Sequence, residues 1–280
     1  MNNEKPVFEL EEVSYSYLGR FPALCGITTQ IIQGEKLAII GSNGTGKSTL
    51  LSLLDGLIFP DSGKIRAFGR DLSEKEFRDE DFSREFRCSV GFVFQNPDVQ
   101  LFCPTVKEDI IFGPLHLGFP REEVKKRLEK VVEVFDLGDL LERSPHQLSI
   151  GEKRKVSIAS VLTIEPQVLL LDEPTAGLDP LTVRHIVDII LQENESGRTI
   201  ITATHDMHIV GEIADCICCL GKERRIVRCG AAEELLADRV FLEQNNLIHM
   251  HAHRHKDKTH IHPHEHLDHH ANEKIIPDQA

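Results

Sequence analysis

The residues with the clearest chemistry are Gly41, Ser42, Asn43, Gly44, Thr45, Gly46, Lys47 and Ser48, which follow the spacing G-x-x-x-x-G-K-[ST]. Glycines at these positions let successive backbone N–H groups curl around a polyphosphate. The helix that follows presents its positive end, the lysine reaches the outer phosphates, and the serine hydroxyl ligates Mg²⁺. This chemistry needs a strand before the loop and a helix after it. Leu37-Ala38-Ile39-Ile40 reads as a short buried strand, and Thr49-Leu50-Leu51 opens a helix. The segment from Gly41 to Thr49 is therefore expected to bind a nucleotide.

Two further constellations could act on the same phosphates. Four aliphatic residues, Val168 to Leu171, run into Asp172 and Glu173. A buried strand would deliver both carboxylates rigidly to the edge of a sheet, Asp172 to hold Mg²⁺ through a water and Glu173 to polarise an attacking water. The second is Gln147-Leu-Ser-Ile-Gly-Glu-Lys-Arg154. Ser149 stands three residues before Glu152, a capping-box pattern whose plain reading is a helix start. Its functional reading is an anion site made of the Ser149 hydroxyl, the Gly151 N–H and the helix dipole. A chain with two anion sites makes sense if the second serves a nucleotide held by another subunit.

The elements that must position these groups follow from periodicity. Residues 7 to 36 carry alternating apolar positions around a Gly-Arg-Phe-Pro turn and read as strands of a small antiparallel sheet. Residues 70 to 87 are densely charged and read as a solvated helix or loop, and Val90 to Phe94 as a strand that ends at Gln95. Residues 104 to 163 read as helical, with apolar positions at Val124, Leu128, Val131, Val132 and Phe135. Strands then recur at 168–171, 199–203 and up to about 228, separated by helices, which implies an α/β sheet with an inserted helical piece.

Length and composition limit the classes. A chain of 280 residues, 40% hydrophobic and 28% charged, can bury a large core. A net charge of −13 argues against a nucleic-acid partner. No apolar run approaches the roughly 20 residues that span a bilayer, and no basic region followed by an apolar stretch opens the chain, so a cytosolic protein is expected. Seven scattered cysteines do not suggest a disulfide framework. Cys216-Ile-Cys-Cys219 reads as part of a buried strand in which cysteine is a small hydrophobe.

Taken together, the phosphate loop, Gln95, Ser149-Ile-Gly-Glu152, Asp172-Glu173, Ala176-Gly-Leu-Asp179 and Thr204-His205-Asp206 resemble the ATPase subunits of ABC transporters along residues 5 to 247. Phe94-Gln-Asn-Pro-Asp-Val-Gln-Leu-Phe102 and Glu108-Asp-Ile-Ile-Phe-Gly-Pro114 resemble the energy-coupling-factor type, with the cobalt and nickel importer ATPases as the nearest group. The resemblance implies a P-loop NTPase with a RecA-like α/β core, an antiparallel β subdomain and an inserted α-helical subdomain at about 96–163, together forming residues 1–247. It implies ATP and Mg²⁺ as ligands, with Mg²⁺ held by Ser48, Gln95 and Asp172. Tyr17 would stack on adenine, and Lys47, Gln95, Glu173 and His205 would be catalytic. Ser149, Gly151 and Glu152 would act on the partner's ATP, with Asp179 at the dimer seam. It implies a homodimer or a pseudo-dimer with a related ATPase, an integral membrane coupling subunit, a substrate-capture subunit, and a place on the cytoplasmic side of the cell membrane. A vitamin or another small solute as cargo, or a soluble ABC ATPase, are the alternatives. The family's signature reads Leu-Ser-Gly-Gly-Gln, and here Ile150 and Glu152 replace its first glycine and its glutamine.

The chain changes character at 248–280, where ten histidines fall among few apolar residues. The segment is expected to be a disordered tail. His249, His251, His253, His255, His260, His262, His264 and His266 are candidate ligands for Ni²⁺ or Co²⁺, since neutral imidazole suits such ions.

Overall fold

The computed structural model describes residues 5–255 and 258–264, with side chains described for 5–248. The aliphatic runs become the interior of a six-stranded sheet. Its members are β3 (Lys36–Ile40), β6 (Val90–Val93), β7 (Val168–Asp172), β8 (Thr199–Ala203), β9 (Cys216–Leu220) and β10 (Ile226–Ala231). They lie in the order β10-β9-β3-β8-β7-β6. β3, β6, β7, β8 and β9 are parallel and β10 returns antiparallel on β9. Near-continuous burial of β3, β6, β7 and β8 is the composition a sheet covered on both faces requires.

A second sheet holds β1 (Pro6–Tyr17), β2 (Phe21–Ile32), β4 (Ser62–Ala67) and β5 (Arg70–Asp71) in the order β2-β1-β4-β5. All its pairings are antiparallel. Between the sheets lies α1 (Lys47–Leu54), whose Leu50, Leu51, Leu53 and Leu54 share one core with Phe8, Leu10, Ile27 and Ile39. α2 (Glu80–Ser89) closes that core with Phe82 and Phe86. This corrects the solvated reading of 70–87: the charges occupy one side of α2, while the phenylalanines at i and i+4 meet Phe77 edge-on and are buried.

On the other face, α3 (Val106–His116), α4 (Arg121–Phe135), α5 (Ile150–Leu162) and α6 (Pro180–Glu195) pack over Leu169, Leu171 and Ile200. α3 to α5 are the inserted helical piece. α7 (Met207–Ile213), α8 (Ala232–Ala237) and α9 (Arg239–Gln244) form a third cluster against β3 and β9. Cys216 to Leu220 is the expected strand, but register brings Cys229 opposite Cys218, and the two are disulfide-bonded. The scattered cysteine spacing hid this pair because the bond depends on strand pairing. Beyond Ile248, β11 (His249–His255) and β12 (Lys258–His264) pair antiparallel, so part of the segment expected to be without structure forms a ladder. His266 lies outside the described residues.

Among the described residues no helix is long and apolar enough to cross a membrane.

Candidate functional site

The strand order brings the chemistry to one edge. The phosphate loop leaves β3, Gln95 follows β6, Asp172-Glu173 ends β7 and Thr204-His205 follows β8. Register aligns these exits, with Ile39 opposite Ala203, Asp172 opposite Ala203 and Val93 opposite Leu171. Crevices at the carboxyl ends of parallel strands are where such sheets bind ligands.

Two glycines of the loop are dictated by space. At Gly46, with φ +104°, a Cβ would come within 2.4 Å of the Ala23 carbonyl oxygen, and at Gly41 within 2.6 Å of that of Leu220. Gly46 caps α1 in the left-handed region with no side-chain cap. The first N–H groups of α1 are thus left for an anion. Lys47 is buried, and its Nζ donates to the Gly41 carbonyl at 2.8 Å and lies 3.9 Å from Glu173 Oε1. Burial pulls the ammonium below its usual pKa, opposed by the Glu173 and Asp172 charges. A partly desolvated cation held on backbone carbonyls is poised to exchange those contacts for phosphate oxygens. The Tyr17 hydroxyl lies 3.1 Å from Thr49 Oγ1, which sets this half-exposed ring beside the first turn of α1.

Beside the lysine lie the carboxylates. Asp172 is buried, and burial raises its pKa while a hydrogen bond from Ser48 opposes the rise. Its Oδ1 is buried without a partner. An orphaned carboxylate oxygen next to a serine hydroxyl is a suitable donor set for a hard divalent cation such as Mg²⁺. Glu173 adopts φ +46°, a conformation that is costly for a non-glycine residue and concentrates at functional sites. Its N–H bonds the Ala203 carbonyl at 2.8 Å. Its Oε2 accepts from Thr204 Oγ1 at 3.1 Å, and its Oε1 lies 2.7 Å from His205 Nδ1. The structure therefore brings together Lys47, Ser48, Asp172, Glu173 and His205. Gln95 is exposed at the end of β6.

The Ser149 motif forms a complete capping box. Glu152 Oε2 accepts from the Ser149 N–H and hydroxyl, both at 2.7 Å, and Ser149 Oγ accepts from the Glu152 N–H at 3.3 Å. These hydrogen bonds hold the Glu152 carboxyl below its usual range. Ile150 beside it is 56% exposed. Asp179 caps α6, accepting from the N–H groups of Leu181 and Thr182 at 3.1 Å, and Thr182 lies against Gly151. Among the described residues no hydrogen bond joins Ser149 or Gly151 to the Lys47–Glu173 group.

Sequence reasoning missed Arg154. This residue of α5 is 1% exposed. It donates from Nη1 to the Phe94 carbonyl at 2.7 Å and from Nη2 to the Gln95 carbonyl at 2.6 Å. Burial lowers its pKa, and the Asp172 and Glu173 charges oppose that shift. Gln100 adds a second tie, accepting from the Phe94 N–H at 3.2 Å and donating to the Ser157 carbonyl at 2.7 Å. Lys153 adds a third, to Asp98 at 2.7 Å. The helix that starts at Ser149 is thus fastened to the loop that carries Gln95. Arg154 sits in an ordinary charged run, Glu-Lys-Arg-Lys, and no sequence signal marks it as buried.

A P-loop α/β core with a helical insert, an antiparallel sheet and a capped Ser-x-Gly helix start defines an ATP-binding cassette. The ABC transporter family matches residues 24–176, and the chain belongs to that family. It is an ATP-binding subunit of a transporter, an ATPase coupled to transport that uses ATP with Mg²⁺. It is 46% identical to the nickel import ATP-binding protein NikO of Rhodobacter capsulatus, over 87% of this chain and 96% of the relative. The structure of cbiO1 from Clostridium perfringens, part of the ABC transporter complex cbiONQ, matches with 38% identity and a TM-score of 0.73. That match covers 87% of this chain and 96% of the other. A dimeric post-hydrolysis structure of the cassette MJ0796, bound to ADP and Pi, matches with 27% identity and a TM-score of 0.72, over 80% and 98% of the two chains.

Proposed function

We propose that this subunit energises uptake of nickel or cobalt ions, as one of two cassettes on a membrane-embedded partner of the energy-coupling-factor type. The observation that carries the pairing is the division of phosphate chemistry within one chain. Lys47, Glu173 and His205 form one cluster, while the amino end of α5 is exposed at Ser149 and Ile150. Each copy supplies what the other lacks, and the dimeric MJ0796 structure supports the arrangement.

In this reading ATP lies between the phosphate loop of one copy and Ser149 and Gly151 of the other, with Asp179 at the seam and Tyr17 against the adenine. The γ-phosphate contacts both halves and favours the closed pair; ADP lacks it and lets the pair open. Lys47 balances phosphate charge. Ser48, Asp172 and Gln95 would hold Mg²⁺, which supplies further neutralisation when bound. Glu173, fixed by Thr204 and by the Nδ1–H of His205, accepts a hydrogen bond from the attacking water. Water adds to the γ-phosphorus, the bond to the β–γ bridging oxygen breaks, and ADP and phosphate leave.

A groove of about 600 Å³ runs between α2 and α3, lined by Arg84, Arg87, Phe92, Phe94, Phe112 and His116. Exposed Phe102 stacks edge-on against Phe112 beside it. Its apolar floor, basic rim and place beside β6 suit an amphipathic cytoplasmic segment of the integral membrane coupling subunit. A substrate-capture subunit would complete the importer on the cytoplasmic side of the cell membrane. The histidines from His249 to His266 would hold Ni²⁺ or Co²⁺ near the importer.

The similarity to NikO, a nickel import ATP-binding protein, supports nickel as cargo. The test is uptake into vesicles that contain this chain with its membrane partners. ATP-dependent accumulation of Ni²⁺ or Co²⁺ that stops with Glu173→Gln is the expected result. ATP-dependent uptake of a vitamin with no metal accumulation would overturn the assignment of cargo.

A further inference from the structure

β10 is an edge of the six-stranded sheet and pairs with β9. The end of β9 and the turn that follows it form one wall of the phosphate loop. A Cβ at Gly41 would meet the Leu220 carbonyl oxygen at 2.6 Å, and one at Gly46 the Ala23 carbonyl oxygen at 2.4 Å. The Arg224 carbonyl accepts from the Cys25 N–H at 2.9 Å. The loop from Gly41 to Gly46 is thus gripped between β9 and β2, and Arg224 ties those two strands together. Its own turn is closed by the Gly221 N–H on the Arg225 carbonyl at 3.0 Å and the Arg224 N–H on the Gly221 carbonyl at 2.9 Å. Arg224 adopts φ +61°, a conformation that costs a non-glycine residue and persists only where the surroundings over-determine it. The neighbouring ladder is irregular between Ile226 and Arg228. Just beyond that irregularity, the Cys218–Cys229 bridge fixes the pairing of β9 with β10.

We propose that the Cys218–Cys229 bridge is a redox-sensitive clasp on the phosphate loop: closed, it holds the β9–β10 wall against Gly41 and favours ATP binding; opened by thiol exchange, it lets the wall loosen and weakens binding. On the cytoplasmic side, where the proposed function sets this subunit, thiols are kept reduced, and the bridges that do form are usually catalytic or redox-sensing. The two sulfurs are unequally placed. Cys218 is 4% exposed and belongs to the core that contains Leu50 and Leu220, whereas Cys229 is exposed. Closure therefore starts at Cys229. Its thiolate attacks one sulfur of a small oxidised disulfide R–S–S–R, forming a mixed disulfide and expelling RS⁻, which takes up a proton. The Cys218 thiol loses its proton and attacks the Cys229 sulfur, and a second RSH leaves. Two protein thiols are oxidised and one small disulfide is reduced to two thiols; a dithiol reductant runs the exchange backwards.

This goes beyond the proposed cargo and is independent of it, so the test uses the full chain alone. Bridge state is set with oxidised or reduced glutathione or with dithiothreitol and verified by thiol labelling and mass spectrometry. Binding of a fluorescent ATP analogue with Mg²⁺ and amide exchange are then measured on both forms. On reduction, amides of 217–230 and the Cys25 N–H should exchange about 10- to 100-fold faster. A loop that is competent a tenth of the time binds about tenfold more weakly, and a loss on that order is expected. Reoxidation should restore both. Amides of β7 should not change, which separates a local clasp from general destabilisation. Cys229→Ser should match the reduced chain and ignore the redox setting. Cys218→Ala, which keeps its buried site apolar, should do the same. Equal nucleotide affinity of the verified open and closed forms would overturn the proposal. So would two free thiols at these positions under every oxidising condition, or a redox response that survives in Cys229→Ser.

Discussion

Arg154→Met tests the tie between α5 and the Gln95 loop. The natural side chain makes two charge-assisted hydrogen bonds to the carbonyls of Phe94 and Gln95, at 2.7 and 2.6 Å, from a position with 1% exposure. Each such bond contributes about 1.5–3 kcal/mol, and recovery of the guanidinium's desolvation penalty offsets part of that. A net loss of about 2–3 kcal/mol in the closed state of the loop follows. Methionine keeps the length and apolar bulk of the stem, so the core of α5 survives. The consequence is local: the N–H groups of Gln100 and Leu101, which bond the Pro97 carbonyl at 3.0 Å, should exchange about 30- to 150-fold faster. Amides of β7 should not change. Lys153→Met is the control; its partner Asp98 is exposed, and exposed ion pairs contribute under about 1 kcal/mol. Unchanged exchange at Gln100 and Leu101 in folded Arg154→Met would refute the reasoning.

Glu173→Gln should bind ATP normally and hydrolyse it at least about 100-fold more slowly, with the nucleotide-bound pair accumulating on a sizing column; near-normal phosphate release would contradict the role of this carboxylate. Glu152→Gln removes a negative charge beside Ser149, so ATP-driven pairing should strengthen several-fold at low salt, and the gap should close as ionic strength rises; a salt-independent difference would point to packing instead. Gly46→Ala places a Cβ 2.4 Å from the Ala23 carbonyl oxygen at φ +104°, and loss of ATP binding by fluorescence titration is expected. Burial pushes Asp55 up to about 7, opposed by its pairing with Arg87 at 3.0 Å. The stability that protonated Asp55 contributes is fully present below about pH 4, its unfolded value, and is lost as pH rises through the folded one. Urea midpoints of the natural chain should therefore fall relative to Asp55→Asn between about pH 4 and 7; parallel curves would exclude this linkage.

The chemistry at the sheet edge was legible because phosphate binding constrains consecutive residues. Gly41 and Gly46 are required by backbone clashes, and Asp172-Glu173 must follow a buried strand. The parts that were not legible depend on partners distant in sequence. Ser62–Ala67 begins with three exposed residues, and its strand state comes from pairing with β1, Phe8 opposite Ala67. The charges around Phe77, Phe82 and Phe86 masked a helical period that was present. Cys218 and Cys229 are eleven residues apart, a spacing that means nothing until β9 and β10 pair. The alternate histidines of the tail already carried a period of two, but composition drew the reading towards disorder.

The position of α5 explains how one helix can serve two ends of the machine. Its first turn carries Ser149 and Gly151, and its body holds the 94–100 loop through Arg154, Gln100 and Lys153. That loop continues β6, whose Phe92, with Phe94 just beyond it, lines the groove between α2 and α3. An α-helix of this length is stiff on the scale of a hydrogen bond. A shift of its amino end towards a phosphate therefore moves the loop and the groove wall with it. Arg154 also feels the Asp172 and Glu173 charges, which oppose the effect of its burial. In the proposed arrangement, coupling between nucleotide and membrane partner needs no extended relay across the core, only a helix pinned at three points to the segment that borders the proposed docking groove.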